Sequence, residues 1–139
     1  MVVMSDPEEY RRHYKNKGIS TMRYTLLKTF RFEAAHQLPH AGDGHKCTTV
    51  HGHNYKVQVE LGGKILEEPE GWIVDFADID AAWEHAVMCH LDHKLLNEVV
   101  PNPTAELLAH WIFNRLCNLI PVGKVTVWEN DDSGASYQP

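Results

Sequence analysis

Long hydrophobic runs are missing from this 139-residue chain. A membrane-spanning helix takes roughly 18 consecutive apolar residues. No stretch approaches that length, so no membrane partner is expected. The N-terminal segment carries Asp6, Glu8, Glu9, Arg11, Arg12 and Lys15 where a secretory signal would have its apolar centre, which leads to the expectation of a cytoplasmic protein. Cysteine is scarce too. Cys47, Cys89 and Cys117 are an odd number without export context, which argues against a disulfide framework and for reduced thiols. Positive charge is also in short supply: 13 Lys and Arg stand against 19 Asp and Glu, a net charge of -6. The cations are scattered rather than arrayed as a stripe, which speaks against a nucleic-acid partner. A small phosphorylated substrate stays compatible, because a folded oligomer can focus a few cations into one cleft.

What is present suits one globular domain, since 43% apolar and 23% charged residues allow a core of useful size at this length. Residues 1–22 are rich in charge, lack an apolar period and carry Gly18 near their end; they read as a helical or disordered extension, with the domain proper at 23–139. From Tyr24 to Ala35 the pattern is strand-like, with Phe30, Phe32, Ala34 and His36 on one parity. A loop rich in Gly, Pro and His follows from Pro39 to Thr49. The second strand, about 51–61, puts His51, His53, Tyr55, Val57, Val59 and Leu61 on one face. Trp72-Ile73-Val74 reads as a short extended piece. Ile79, Ala82, Trp83, Ala86, Val87 and Leu91 then recur at helical spacing, after a cap at Asp75 or Asp78 and before an exit at Leu91-Asp92-His93. A second helix starts at Thr104 and carries Leu108, Trp111, Ile112, Leu116 and Leu119. A third strand, about 123–129, aligns Val125, Val127 and Glu129, and a turn at Asp131 to Gly134 leads to a short last strand near Tyr137. The order ββααββ predicts an α+β fold: four antiparallel strands with two helices on one face. A small sheet of this kind leaves two edges to be paired, which favours a closed homo-oligomer.

Three constellations carry chemistry. His51 and His53 lie two apart in a strand and point the same way, and His36 closes the apolar face of the preceding strand. Three imidazoles suit Zn²⁺ and leave a fourth position for water or substrate. Strand histidines satisfied by hydrogen bonds are the plain alternative, and Cys47 could instead complete a closed four-ligand structural site. The second constellation is Asp92-His93, which could lower the pKa of the Cys47 thiol if the helix ends there; a histidine merely facing the helix dipole is the other reading. The third is Glu129, an acceptor-only group at the end of an apolar row. It would match a planar guanidine-like edge or a basic side chain equally well. His40 and His45 share the loop with Cys47 as spare ligands, while His13, His85, His90 and His110 suggest no chemistry.

Phe32-Glu33-Ala34-Ala35-His36, Gly44-His45-Lys46-Cys47, His51-Gly52-His53, Asp75-Phe76, Leu91-Asp92-His93, Pro103-Thr104-Ala105-Glu106, and Glu129 ahead of Gly134 and Tyr137 occur in the order seen in the 6-pyruvoyl-tetrahydropterin synthase superfamily. The chain resembles that superfamily from about residue 23 to 138. The short Cys-x3-His-Gly-His spacing is similar to its 6-carboxy-tetrahydropterin synthase branch. The resemblance implies a T-fold in which three subunits join their sheets into a barrel and two rings stack as a hexamer. It implies a zinc-dependent carbon-carbon lyase that converts 7,8-dihydroneopterin triphosphate into 6-carboxy-5,6,7,8-tetrahydropterin, acetaldehyde and triphosphate, a step of queuosine biosynthesis. Carried over by motif, His36, His51 and His53 hold Zn²⁺; Cys47 moves protons with Asp92 and His93 tuning its charge; Glu129 anchors the pterin, helped by Thr104 and Glu106. Lys46 is the candidate for the triphosphate. Lys94 stands where some relatives have a second histidine, and Asn130 where threonine is common. A pyruvoyl-forming synthase, a pterin side-chain aldolase and a non-catalytic zinc-stabilised binding module are the competing readings.

Overall fold

Alternation of inward and outward side chains builds the first strand pair. In the computed structural model, which describes residues 24–63 and 71–139, β1 (Tyr24–His36) and β2 (His51–Gly63) pair antiparallel in unbroken register, from Tyr24 opposite Gly63 to His36 opposite His51. The expected N-terminal extension lies outside the described residues. Phe32, Ala34 and His36 on β1 and Tyr55, Val57, Val59 and Leu61 on β2 are buried on one face. Arg31, Glu33, Gly52 and Asn54, one residue out of phase, are exposed on the other. A slip of one residue would exchange the two sets, so the burial pattern fixes the register. β3 (Val122–Trp128) and β4 (Gly134–Tyr137) extend the sheet in the order β1-β2-β3-β4, all antiparallel.

Two helical stretches link β2 to β3 and cover the inner face. α1 (Phe76–Trp83) starts at Asp75, whose Oδ1 accepts the Ala77 N–H at 2.9 Å. The chain then stays helical through a π-helical segment, Glu84–Met88, and a last turn, Cys89–Leu91. Asp92 adopts extended backbone and stops it. α2 (Ala105–Leu116) is capped by Thr104, whose hydroxyl accepts the Leu107 N–H at 3.2 Å. Ile79, Trp83, Val87 and Leu91 from the first stretch and Leu108, Ile112 and Leu116 from the second share one core with Val57, Val59, Val125 and Val127. Each such side chain removed from water contributes roughly 1.5–3 kcal/mol, which makes this layer the main source of stability. Stacking adds to it: Phe30 lies on Trp83 at 4.3 Å between ring centroids, and Phe32 on Tyr55 at 4.9 Å.

The α+β architecture is the one expected, but several boundaries move. β2 runs on through Gly62 and Gly63, which pair with Thr25 and Tyr24 instead of ending the strand. Of Trp72-Ile73-Val74, Trp72 makes an isolated β-bridge while Ile73 and Val74 follow bend backbone, so the piece forms no regular strand. α2 ends at Leu116 with Cys117 as its cap, so Leu119 leaves the expected stripe and is 53% exposed. β3 stops at Trp128. Glu129 belongs to the following turn, where its N–H donates to the Ser133 carbonyl at 3.0 Å. That turn closes tightly on Gly134, where a Cβ would lie 2.6 Å from the Val127 carbonyl oxygen and 2.8 Å from the Trp128 ring. Only glycine allows the backbone that close.

Candidate active site

Register places the three histidines together. His36 and His51 are cross-strand partners at the end of the β1–β2 pair, and His53 is the next residue of β2 on the same face, opposite the small Ala34. Their rings meet edge to face at centroid distances of 4.6, 5.0 and 4.9 Å. One ligand atom from each falls in a group within 4.8 Å.

Hydrogen bonds settle how two of these rings present themselves. His36 is buried, and its Nδ1 lies 2.8 Å from the Pro103 carbonyl; His51 Nδ1 lies 2.7 Å from the Thr49 carbonyl. A carbonyl only accepts, so both Nδ1 atoms carry hydrogen and each Nε2 is left with a lone pair. The two Nε2 atoms are 3.0 Å apart. Lone pairs at that separation repel unless a proton or a cation lies between them. His53 Nε2 is buried without a hydrogen-bond partner among the described residues. Desolvation holds the His53 pKa below the usual histidine value, Glu129 pulls it up, and His36, His51 and Lys46 push it further down. Neutral imidazoles are the form that binds metal. Three converging imidazole nitrogens suit a borderline divalent ion such as Zn²⁺, with carbonyls behind His36 and His51 setting the orientation of those two rings.

A cavity of about 460 Å³ opens beside the cluster, lined by Lys46, Cys47, His51, His53, Glu129, Asn130 and Ser133. Cys47 reaches it from a 3-10 turn, Lys46–Thr48, whose start is fixed by the Cys47 N–H donating to His45 Nδ1 at 3.1 Å. His45 is thus engaged as a cap. The cysteine lies outside the group of converging ligand atoms. Glu129 also lines an adjoining cavity of about 270 Å³ with Thr104, Glu106 and Ser133, so one carboxylate faces both spaces. Tyr55 is buried against His36 and His53 at 6.0 and 5.5 Å, and its hydroxyl lacks a partner among the described residues. Burial first and Glu129 second raise its pKa far above the usual tyrosine range.

Asp92 and His93 lie elsewhere. Around Glu33 and Asn54, on the exposed face of the sheet, they line a cavity of about 520 Å³. Asp92 Oδ2 is 2.9 Å from His93 Nδ1. The pair perturbs both members: the Glu33 N–H, with His93 in support, holds the Asp92 carboxyl below its usual range, and the bond to Asp92 raises the His93 pKa. Within one chain this pair and Cys47 line different cavities. His53 borders both the His93 side and the Cys47 side.

A family model described as 6-pyruvoyl tetrahydropterin synthase matches residues 25–139. The chain belongs to that family. A Synechocystis protein named 6-carboxy-5,6,7,8-tetrahydropterin synthase is 36% identical over 121 residues, covering 82% of this chain and 92% of that one. Human 6-pyruvoyl tetrahydrobiopterin synthase is 38% identical over 103 residues, covering 67% and 70%. Among solved structures, the Caenorhabditis elegans 6-pyruvoyl tetrahydropterin synthase superposes with a TM-score of 0.75 at 24% identity over 85% of this chain and 96% of that one. That likeness establishes the T-fold for this chain.

For this member of the tetrahydropterin synthase family, the three-histidine cluster is a group able to hold a metal. Several residues of the site received no role from the sequence. Pro103 acts through its carbonyl, Tyr55 looks like an ordinary core aromatic in β2, and Asn130 and Ser133 enter the cavity through the turn that holds Glu129. The alternation of β2 could have flagged Tyr55, since it shares a face with both histidines.

Proposed function

We propose that this chain is a zinc-dependent 6-carboxy-5,6,7,8-tetrahydropterin synthase, a carbon-carbon lyase acting on 7,8-dihydroneopterin triphosphate. The observation that carries the reading is a cavity that His51 and His53 of the metal-fitting cluster share with the Cys47 thiol and the Glu129 carboxylate. Its volume of about 460 Å³ suits a bicyclic ring with a short side chain. The name of the Synechocystis relative and the short Cys-x3-His-Gly-His spacing support the carboxy product over the pyruvoyl one.

Zn²⁺ held by His36, His51 and His53 would supply Lewis acidity at the side-chain oxygens of the substrate, stabilising the negative charge that develops when a neighbouring carbon loses a proton. The remaining work falls to the chain. Cys47, as thiolate, takes a proton from one side-chain carbon and returns it elsewhere. Glu129 accepts two parallel hydrogen bonds from the amino-pyrimidine edge, a planar match that fixes which carbon faces the thiol. Thr104 and Glu106 line the adjoining space and complete the ring pocket, while Lys46 offers its charge to the triphosphate. With a proton moved from the first side-chain carbon to the ring and triphosphate eliminated from the third, the side chain becomes a 1,2-dicarbonyl. Water adds to the carbonyl beside the ring, and the bond between the two carbonyl carbons breaks with protonation of the departing carbon, leaving the 6-carboxylate and releasing acetaldehyde.

Asp92 and His93 would serve Cys47 across an interface. The sheet has β1 and β4 as its edges, and joining edges between copies gives a ring of three subunits that stacks into a hexamer. In that assembly one copy's Asp92-His93 pair tunes the Cys47 of another. Sedimentation of the active protein should give a species of several chains; an active monomer would overturn this arrangement. A cytoplasmic location and a place in queuosine biosynthesis complete the reading.

Product analysis separates the alternatives. Zinc-loaded protein incubated with 7,8-dihydroneopterin triphosphate should yield acetaldehyde and a 6-carboxypterin by mass spectrometry. A pyruvoyl product, or a hydroxymethyl product from aldol cleavage, would reassign the reaction within the family. Absence of turnover by metal-loaded protein would leave a binding module.

A further inference from the structure

We propose that Glu33 is a positioning residue for the Asp92-His93 pair: its backbone fixes the pair against β1, and its carboxylate steadies the far side of the imidazole. The inference rests on the pterin synthase reading, in which the Asp92-His93 pair tunes the proton-moving Cys47.

Glu33 lies on the exposed face of β1, between the buried Phe32 and Ala34. Both of its main-chain groups are spent on the pair: its N–H donates to Asp92 Oδ1 at 3.1 Å, and its carbonyl accepts the His93 N–H at 2.7 Å. One residue on, the Ala35 N–H donates to the Lys94 carbonyl at 3.0 Å, and Ala35 and Leu95 form a parallel bridge. This short stretch of pairing holds His93 at φ +55°, the one non-glycine residue with positive φ among the described residues. Such backbone persists in a bulky residue only where its neighbours impose it.

The imposed conformation sets the ring between two carboxylates. Asp92 Oδ2 is 2.9 Å from Nδ1, and Glu33 Oε2 is 3.7 Å from Nε2. The separation from Glu33 exceeds that of a full hydrogen bond, so Nε2–H stays available to a neighbour while the carboxylate favours the imidazolium. Other titratable groups border the ring as well: Arg31 lines the same cavity, and Lys94 lines the adjoining one together with His53, whose pKa lies below the usual histidine value. Asp92 and Glu33 act for the imidazolium. The rise in the His93 pKa comes first from the Asp92 bond, with Glu33 adding to it.

Side-chain substitutions separate the two roles, because the main-chain bonds survive them. Glu33→Gln should retain the wild-type melting temperature and metal content and lose about tenfold in turnover, less than the 10²-fold or more expected for removal of an acid-base group itself. The limb of the pH profile due to His93 should move to lower pH, together with the His93 midpoint followed by ¹⁵N NMR. Glu33→Asp should recover part of both. An unchanged pH profile and an unchanged His93 midpoint in Glu33→Gln would overturn the proposal. The NMR midpoint needs no substrate: if the wild type ignores the pterin while the midpoint still falls, the functional reading fails and the positioning role stands.

Discussion

Cys47→Ala should abolish turnover and leave the metal in place. The two readings of this thiol differ in where its sulfur belongs. As a fourth ligand it would converge with the three imidazoles, yet the converging group comprises His36, His51 and His53. Cys47 instead sits at the edge of the 460 Å³ cavity, on a 3-10 turn held by His45. A proton-transferring group contributes about 10²–10⁴-fold to rate, and the variant should lose that much or more. Metal content by mass spectrometry should stay at the wild-type level. Loss of the ion along with activity would make the thiol a ligand and remove it from the chemistry.

His51→Ala should lose both. Its Nε2 faces that of His36 at 3.0 Å, and the Thr49 carbonyl behind it fixes the ring. Without it, two imidazoles remain, and the affinity should drop by more than the ~100-fold that changes behind a ligand cause. Thermal unfolding reports this directly. An ion present at 100 times its dissociation constant stabilises the folded state by about 2.7 kcal/mol, so adding Zn²⁺ should raise the wild-type melting temperature and leave that of His51→Ala unmoved. An equal rise in both proteins would place the ion elsewhere. The substitution itself should be mild in metal-free protein, since it relieves the facing lone pairs.

Much of this was legible in the sequence, because alternation and burial are tied by simple geometry. Phe32, Ala34 and His36 share a parity, as do His51, His53 and Tyr55, and pairing β1 with β2 on their apolar faces leaves the three histidines nowhere else to meet. The caps at Asp75 and Thr104 were readable for a similar reason, since each is a short polar side chain before an apolar helical period. What was hidden depends on backbone detail. A π-helical segment uses the same side chains as an α-helix, so Glu84–Met88 carries no pattern of its own. The bond from His36 to Pro103 runs to a main-chain carbonyl, which no side-chain motif encodes. Glu129 shares the parity of Val125 and Val127, but the tight closure at Gly134 ends the strand one residue early. The left-handed His93 is set by Glu33 and Ala35, distant in sequence. Because Asp92 and His93 are adjacent, the helix had to end there if both were to reach one centre, but nothing in the sequence showed which cavity the pair would face.

The three histidines should hold a metal required for cleavage of a pterin side chain. Acetaldehyde released from 7,8-dihydroneopterin triphosphate, measured as metal-stripped protein is titrated with Zn²⁺, tests it most directly. Release should be absent at the start, rise in proportion to added ion and level off at one ion per chain. Full release from the stripped protein, or none at any loading, would contradict the account.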